Sequence, residues 1–271
     1  MTRPPAFLLL LPAFLYAQDP VEIVRRATEL DRRNTEISRS YTYIEHREQR
    51  EEDGAGRAKK TESTTFDVTV LEGSPYRRLI ARNDKPLSAK EQQLEEAKLQ
   101  KSIVDRRRET KEQREQRIAE WERRQQKQRE PIKELVDAFT FTMAGEEAIN
   151  GSEAWVIDAM PKPGYHPRTQ ATAFFPKVKL RIWVEKSGYH WVKLDMESLD
   201  TITFGGILFR MAKGSHLTVE NTRVNNEVWL PKSAMLKGSV RIALVKVLRG
   251  EITYSFSDYK KFQADSRVIV Q

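Results

Sequence analysis

The residues best suited to hold a metal or move a proton near neutral pH are the histidines, and this chain has four, His46, His166, His190 and His216. They stand far apart, and none has a second histidine or a carboxylate at metal-motif spacing, so no metal site is expected. His190, beside Trp191 in a hairpin, reads as a half-exposed strand histidine rather than a ligand. There is no Gly-x-Ser-x-Gly elbow, no phosphate-cradling glycine loop, and no Ser-x-x-Lys with its partner motifs. Cysteine is absent, which removes thiol catalysis, disulfides, cysteine-ligated metals and a lipid-modified N-terminal cysteine. Carboxylates are the remaining route to hydrolysis, since Glu146 with Glu147, Asp195 with Glu197, and Asp258 could meet across strands. Among 39 acidic residues such pairs carry almost no information. The expectation is a protein without cofactor or catalytic residues, a hydrolase using paired carboxylates being the outlying alternative.

Apolar surface is abundant instead, in Phe174-Phe175, the run from Ile202 to Phe209, and Met196 with Met211. An ordinary core accounts for it. The functional alternative is an apolar cavity on the concave side of a sheet, where methionines and aromatics hold a lipid tail. Strand alternation in Tyr189 to Met196 places His190, Val192, Leu194 and Met196 on one side and Trp191, Lys193 and Asp195 on the other. Gly205-Gly206 permits a sharp curl that brings Phe204, Leu208 and Phe209 towards the same space. The residues expected to line such a cavity are therefore Val192, Leu194, Met196, Phe204, Leu208, Phe209 and Met211.

These residues must be positioned by a β-rich frame. Asp19-Pro20 precedes Val21, Ile23, Val24, Ala27 and Leu30, whose spacing predicts an amphipathic helix ending near Ser38. Tyr41 and Tyr43, a turn at Asp53-Gly54-Ala55-Gly56, and Phe66, Val68 and Val70 predict a hairpin, followed by a short strand from Tyr76 to Ala81. Ser88-Ala89-Lys90-Glu91 has the form of a capping box and opens a helix. Asp105 to Arg117 contains no apolar residue, so that stretch is excluded from a core and depends on pairs such as Arg108 with Glu112, Lys111 with Glu115, and Glu120 with Arg124. Thr110-Lys111-Glu112-Gln113 offers a second box, leaving one long helix or a hairpin breaking near Glu109. Pro131 is expected to begin a further helical piece, Ile132 to Phe139.

From Thr140 onward, Asn150-Gly151, Ser187-Gly188 and Asn225-Asn226 separate runs of aromatic and β-branched residues. The strand candidates are Trp155 to Ile157, Leu180 to Val184, Tyr189 to Met196, Ile202 to Met211, Leu217 to Val219, Val228 to Leu230, Ser239 to Leu248 and Ile252 to Tyr259. Consecutive strands with short connections form a meander, which must curl or be covered.

At the other end, Met1-Thr2-Arg3, an apolar run from Ala6 to Phe14 and Leu15-Tyr16-Ala17 before Gln18 have the order of a secretory signal. The run is about a dozen residues, short of the roughly 20 needed to span a bilayer as a helix. Residues 1–17 are thus expected to be removed, leaving 18–271 as one periplasmic or secreted domain without a transmembrane segment, carrying a helical insertion at 88–139. The net charge of +8 would suit nucleic acid in a cytoplasmic protein. Export argues against that partner and leaves anionic lipid headgroups, or simply solubility.

The hairpin text Arg181-Ile182-Trp183-Val184-Glu185-Lys186-Ser187-Gly188-Tyr189-His190-Trp191-Val192-Lys193-Leu194, with Asn226-Glu227-Val228-Trp229-Leu230-Pro231 and the aromatic strand Tyr254-Ser255-Phe256-Ser257-Asp258-Tyr259-Lys260-Lys261-Phe262, resembles the periplasmic outer-membrane lipoprotein-sorting (lipoprotein carrier) superfamily. The likeness extends in outline from Asp19 to Phe262. It implies a half-open antiparallel β barrel of about eleven strands, partly plugged by helices, that holds acyl chains or a partner's lipid anchor without catalytic residues. Ser88 to Arg129 departs from the pattern, being far longer and more polar than a carrier's lid helices. The leading expectation is an envelope protein that binds a lipid or lipoprotein acyl chain, and the alternative is an envelope scaffold that docks a partner protein through the charged insertion.

Overall fold

The computed structural model describes residues 18–204, 209–242 and 246–262, so the secretory segment expected at 1–17 lies outside the described residues. Helix α1 (Pro20–Ser38) is opened by the Asp19 carboxylate, which accepts from the Val21 N–H at 2.9 Å, and it buries Ile23, Val24 and Ala27. Strands β1 (Tyr41–Glu52) and β2 (Ala58–Leu71) form the expected hairpin. Asp53 closes its turn by accepting from the backbone of Ala55 and Arg57. Strands β3 (Ser74–Arg82) and β4 (Lys85–Pro86) follow.

The insertion is a helical hairpin of α2 (Ala89–Arg108) and α3 (Lys111–Ala138), and both capping boxes form, at Ser88 with Glu91 and at Thr110 with Gln113. Of the three anticipated ion pairs, Lys111 with Glu115 is present, at 3.9 Å. The hairpin is held chiefly by contacts to the sheet. Arg106 donates to the Leu71 and Ser74 carbonyls at 2.7 and 3.0 Å, and Arg117 donates to Ser74 Oγ and the Glu72 carbonyl at 2.6 and 3.0 Å. Ile103 of α2 is buried. The expected break at Pro131 is corrected, because α3 runs unbroken through it. An interior proline removes one helical hydrogen bond. Here Arg129, paired with Asp31 of α1, and Leu135 and Ala138, both buried, fix the helix on either side of it.

The remaining strands are β5 (Phe139–Ile149), β6 (Ser152–Pro161), β7 (Val178–Glu185), β8 (Trp191–Ser198), β9 (Ile202–Phe204), β10 (Phe209–Met211), β11 (His216–Val224), β12 (Val228–Ile242) and β13 (Lys246–Lys261). Ser239 to Leu248 is not one strand. β12 ends at Ile242 and β13 starts at Lys246, the two pairing antiparallel from Ser233↔Ser255 to Ile242↔Lys246. The main sheet has eleven strands in the order β4-β3-β2-β1-β13-β12-β11-β8-β7-β6-β5, with short β9 and β10 attached through β12. Its two edges do not pair, so the sheet curls without closing into a barrel. One face, termed inner, is covered by α1. There Ile23, Val24 and Ala27 pack with Leu135 of α3, Phe139, Phe141, Ile157, Leu180, Ile182 and Met196. On the outer face Ala154, Val156, Trp183, Val192 and Trp229 form a smaller cluster.

Candidate binding cavity on the inner face

The residues expected to line a cavity are distributed otherwise. Met196 and Met211 are buried in the core beneath α1, and Leu194 packs against the same cluster. They pack in the same core as Ile23, Val24 and Ala27 of α1. Val192 is on the opposite face, where it is fully buried beside Trp183 and Trp229. The reason is a bulge: Trp183 pairs with Lys193 and Val184 pairs with Trp191, so Val192 is the extra, unpaired residue of β8 and the alternation slips by one position. Trp191 therefore joins Leu194 and Met196 on the inner face. Phe204 and Phe209 face each other in backbone register across β9 and β10. Their side chains, and Leu208 as a whole, lie outside the described residues.

An opening occurs where α1 ends. Beyond Ser38, the inner face of β1, β2, β12 and β13 borders a cavity of about 220 Å³. Tyr41, Tyr43, Val68, Val70, Leu230, Phe256 and Tyr259 form its wall, and Trp121 of α3 is its roof. The aromatic rings are in edge contact, with Tyr43 and Phe256 centroids 5.8 Å apart and Tyr43 and Tyr259 centroids 5.6 Å apart. Such pairs hold one another in defined orientations. The hydroxyls are engaged: Tyr259 donates to the Pro231 carbonyl at 2.5 Å, and Tyr41 donates to Glu227 at 2.5 Å while accepting from Asn225 at 2.9 Å. Burial raises the Tyr259 phenol far above its usual range, with Tyr43 adding to the shift, and burial likewise raises Tyr43. Both rings therefore stay neutral across the physiological range, and this side of the space is aromatic and aliphatic, while Thr35, Ser38, Arg39, Thr69 and Gln125 line the rest of it.

Electrostatics bound this wall. Farther along β1 the inner face becomes polar, with Glu45 ion-paired to Arg77 and Arg47 Nε donating to the Tyr254 hydroxyl at 3.2 Å. On the roof side Arg39 donates to Glu122 at 2.8 Å and lies over the Trp121 ring at 5.6 Å. Arg129 pairs with Asp31 and donates to its carbonyl at 3.0 Å. Together these contacts hold α3 antiparallel to α1.

The carboxylates considered for hydrolysis have other partners. Glu146 meets Lys186 at 2.5 Å, Glu147 accepts from the Trp183 indole at 2.7 Å, Asp195 accepts from Thr218 at 2.6 Å, and Glu197 meets Lys179 at 2.7 Å. His190 stacks on Trp229 with centroids 6.1 Å apart. Among the described residues no group of three or more histidines or carboxylates is placed to hold a metal ion, and no helix is long and apolar enough to cross a membrane.

The cavity was hard to read in advance because its wall joins the two ends of the chain. Tyr41 and Tyr43 meet Phe256 and Tyr259 only because β1 pairs with β13, and Trp121 is a lone aromatic in the most polar segment. The one local signal was the alternation of aromatic residues in β1 and β13.

No protein-family model matches the chain, and no curated protein matches it. Among solved structures it is similar to a domain described as an outer membrane lipoprotein-sorting protein from Vibrio parahaemolyticus, with 11% identity, a TM-score of 0.35, and coverage of 90% of this chain and 95% of that one. A LolA superfamily protein from Nitrosomonas europaea gives 11% identity and a TM-score of 0.31 over 90% of this chain and 93% of that one. A chain of the Pseudomonas aeruginosa MucA/MucB complex gives 8% and 0.28 over 91% and 100%. Likeness this distant assigns the chain neither a superfamily nor a cargo or partner.

Proposed function

We propose that this protein is exported to the cell envelope, where it binds an apolar chain, such as a lipid tail or the acyl group of a lipoprotein, without catalysis. The observation that carries the reading is the aromatic cavity between Tyr43, Val68, Phe256, Tyr259 and Trp121, whose one charged lining residue, Arg39, is paired with Glu122. Its size is meaningful, because an apolar cavity of about 150 Å³ suffices to bind benzene. A space of about 220 Å³ therefore takes a segment of a tail rather than its whole length. At about 0.8 kcal/mol per buried methylene, a stretch of about six is worth roughly 5 kcal/mol of gross transfer energy. Apolar contact alone provides this, with no catalytic group required. Export rests on the order of residues 1–17, and places the protein in the periplasm or outside the cell.

The test is displacement of a fluorescent fatty acid. Val70→Trp adds an indole to the cavity wall and should weaken binding at least tenfold with the circular dichroism spectrum unchanged. A well-folded Val70→Trp protein that binds as the parent does would remove the cavity from the account.

A second reading, docking of a partner protein on the insertion, is favoured by one observation: α2 exposes Leu94 and Val104 on its surface. Changing both to serine should leave acyl binding intact, and on this reading it abolishes capture of an envelope partner.

A further inference from the structure

The aromatic cavity has a neighbour of opposite character. Between α1 and α3 lies a second space of about 360 Å³, and both spaces are lined by Thr35 and Arg39. Along α1 its wall is Thr28, Asp31, Arg32, Thr35, Glu36 and Arg39, and along α3 it is Gln126, Arg129, Ile132 and Lys133. Four cations, Arg32, Arg39, Arg129 and Lys133, face two anions, Asp31 and Glu36, an excess of two positive charges. Two of the cations are already engaged, Arg39 with Glu122 and Arg129 with Asp31. Arg32 and Lys133 are exposed and form no ion pair among the described residues. In addition, Arg39 Nε, on one of the two residues common to both spaces, is buried without a hydrogen-bond partner among the described residues. Two neighbouring spaces that share Thr35 and Arg39 thus present an aromatic wall and a positively charged one along α1.

From this juxtaposition we infer that the cargo is an amphiphile with an anionic head, a phosphate or carboxylate, whose tail enters the Tyr43–Phe256–Trp121 cavity while its head lies between Arg32, Arg39 and Lys133. The inference rests on the acyl-binding reading and adds the chemical class of the head. Charge-assisted hydrogen bonds from guanidinium and ammonium groups recognise such heads. An apolar wall alone would not distinguish them from neutral ones. Because Arg32 and Lys133 are exposed, their contribution is screened by salt.

Titration calorimetry with the full mature protein separates the alternatives, using dodecyl phosphate, its neutral counterpart monododecanoyl glycerol, and inorganic phosphate. The expected result is about tenfold tighter binding of dodecyl phosphate than of the neutral ligand, as a single charged hydrogen bond would give. That preference should shrink at about 1 M salt. In Arg32→Ala/Lys133→Ala, whose altered side chains are exposed and outside the core, binding of the neutral ligand should be unchanged and the preference lost. Equal affinity for the two amphiphiles in the parent, or a preference that survives in the double variant, would overturn the anionic head while leaving the cavity reading in place. Failure of both amphiphiles to bind would overturn both. Competition by inorganic phosphate at the same concentration as dodecyl phosphate would also overturn the inference, since it would show a free-anion site to which the tail contributes nothing.

Discussion

Replacing Arg117 with methionine should loosen the whole α2–α3 hairpin while leaving the sheet intact. The guanidinium makes a two-pronged contact with Glu109, with Nε to Oε1 at 2.7 Å and Nη2 to Oε2 at 2.6 Å, and also donates to Ser74 Oγ and the Glu72 carbonyl. Both side chains of the ion pair are about one-fifth exposed, so the pair is worth about 1 kcal/mol after screening. Each hydrogen bond to the β2–β3 turn adds about 1 kcal/mol, for a total near 3 kcal/mol. Methionine keeps most of the apolar stem, so the change removes the charged contacts rather than the packing. If the hairpin opens as a unit, that loss corresponds to about a hundredfold faster hydrogen exchange of the α2 and α3 amides, with β6 and β7 unaffected. The pairing holds the Glu109 carboxyl below its usual range, chiefly through the hydrogen bond from Arg117. Its contribution is present above the ordinary carboxylate range and is lost as pH falls through the lowered value. Unchanged exchange in Arg117→Met would refute this reasoning and assign the docking to apolar contact, that of the buried Ile103 and of Ile118, whose side chain lies against Gly73 in the β2–β3 turn.

Two further perturbations probe the frame. Gly250 has φ of +144°, and a methyl group there would overlap the carbonyl oxygen of Arg50 on the neighbouring strand; Gly250→Ala should therefore cost at least about 3 kcal/mol in urea unfolding, and a variant as stable as its parent would contradict the β1–β13 register. Burial holds His190 below its ordinary value of 6.5, outweighing the opposite pull of Glu185, so its neutral form is the one that stabilises the fold. That contribution is complete above pH 6.5 and lost as pH falls through the depressed value; melting temperature should decline over this interval in the parent and decline less in His190→Gln, and identical profiles would exclude His190 as the cause.

Local chemistry was legible wherever it acts over a few residues. The Asp19-Pro20 start of α1, the boxes at Ser88 and Thr110, and the turns at Asn150-Gly151 and Asn225-Asn226 follow from capping and left-handed backbone preferences, and each is where the sequence puts it. The half-open sheet itself came from resemblance, since alternation does not say which strands meet. Features set by tertiary contact were not legible. The bulge at Val192 depends on the register of β7 against β8, and a single slip moved that residue to the outer face. Pro131 stays inside a helix because α1 grips both of its flanks. The division between β12, which ends at Ile242, and β13, which starts at Lys246, was not legible because the sequence between them, Ala243-Leu244-Val245, contains none of the residues that signal a turn. Leu194, Met196 and Met211 have the composition of a lipid-binding wall and the position of a core, a distinction made only by where α1 packs.

The most direct measurement is photo-crosslinking with a fatty acid that carries a diazirine near the end of its tail, followed by peptide mapping. Label is expected on β1, β2, β13 and α3, at peptides containing Tyr43, Val68, Phe256 and Trp121, and is expected to be suppressed in Val70→Trp. Label confined to outer-face peptides around Trp183 and Trp229, or no label above that of an unrelated protein, would contradict the cavity reading.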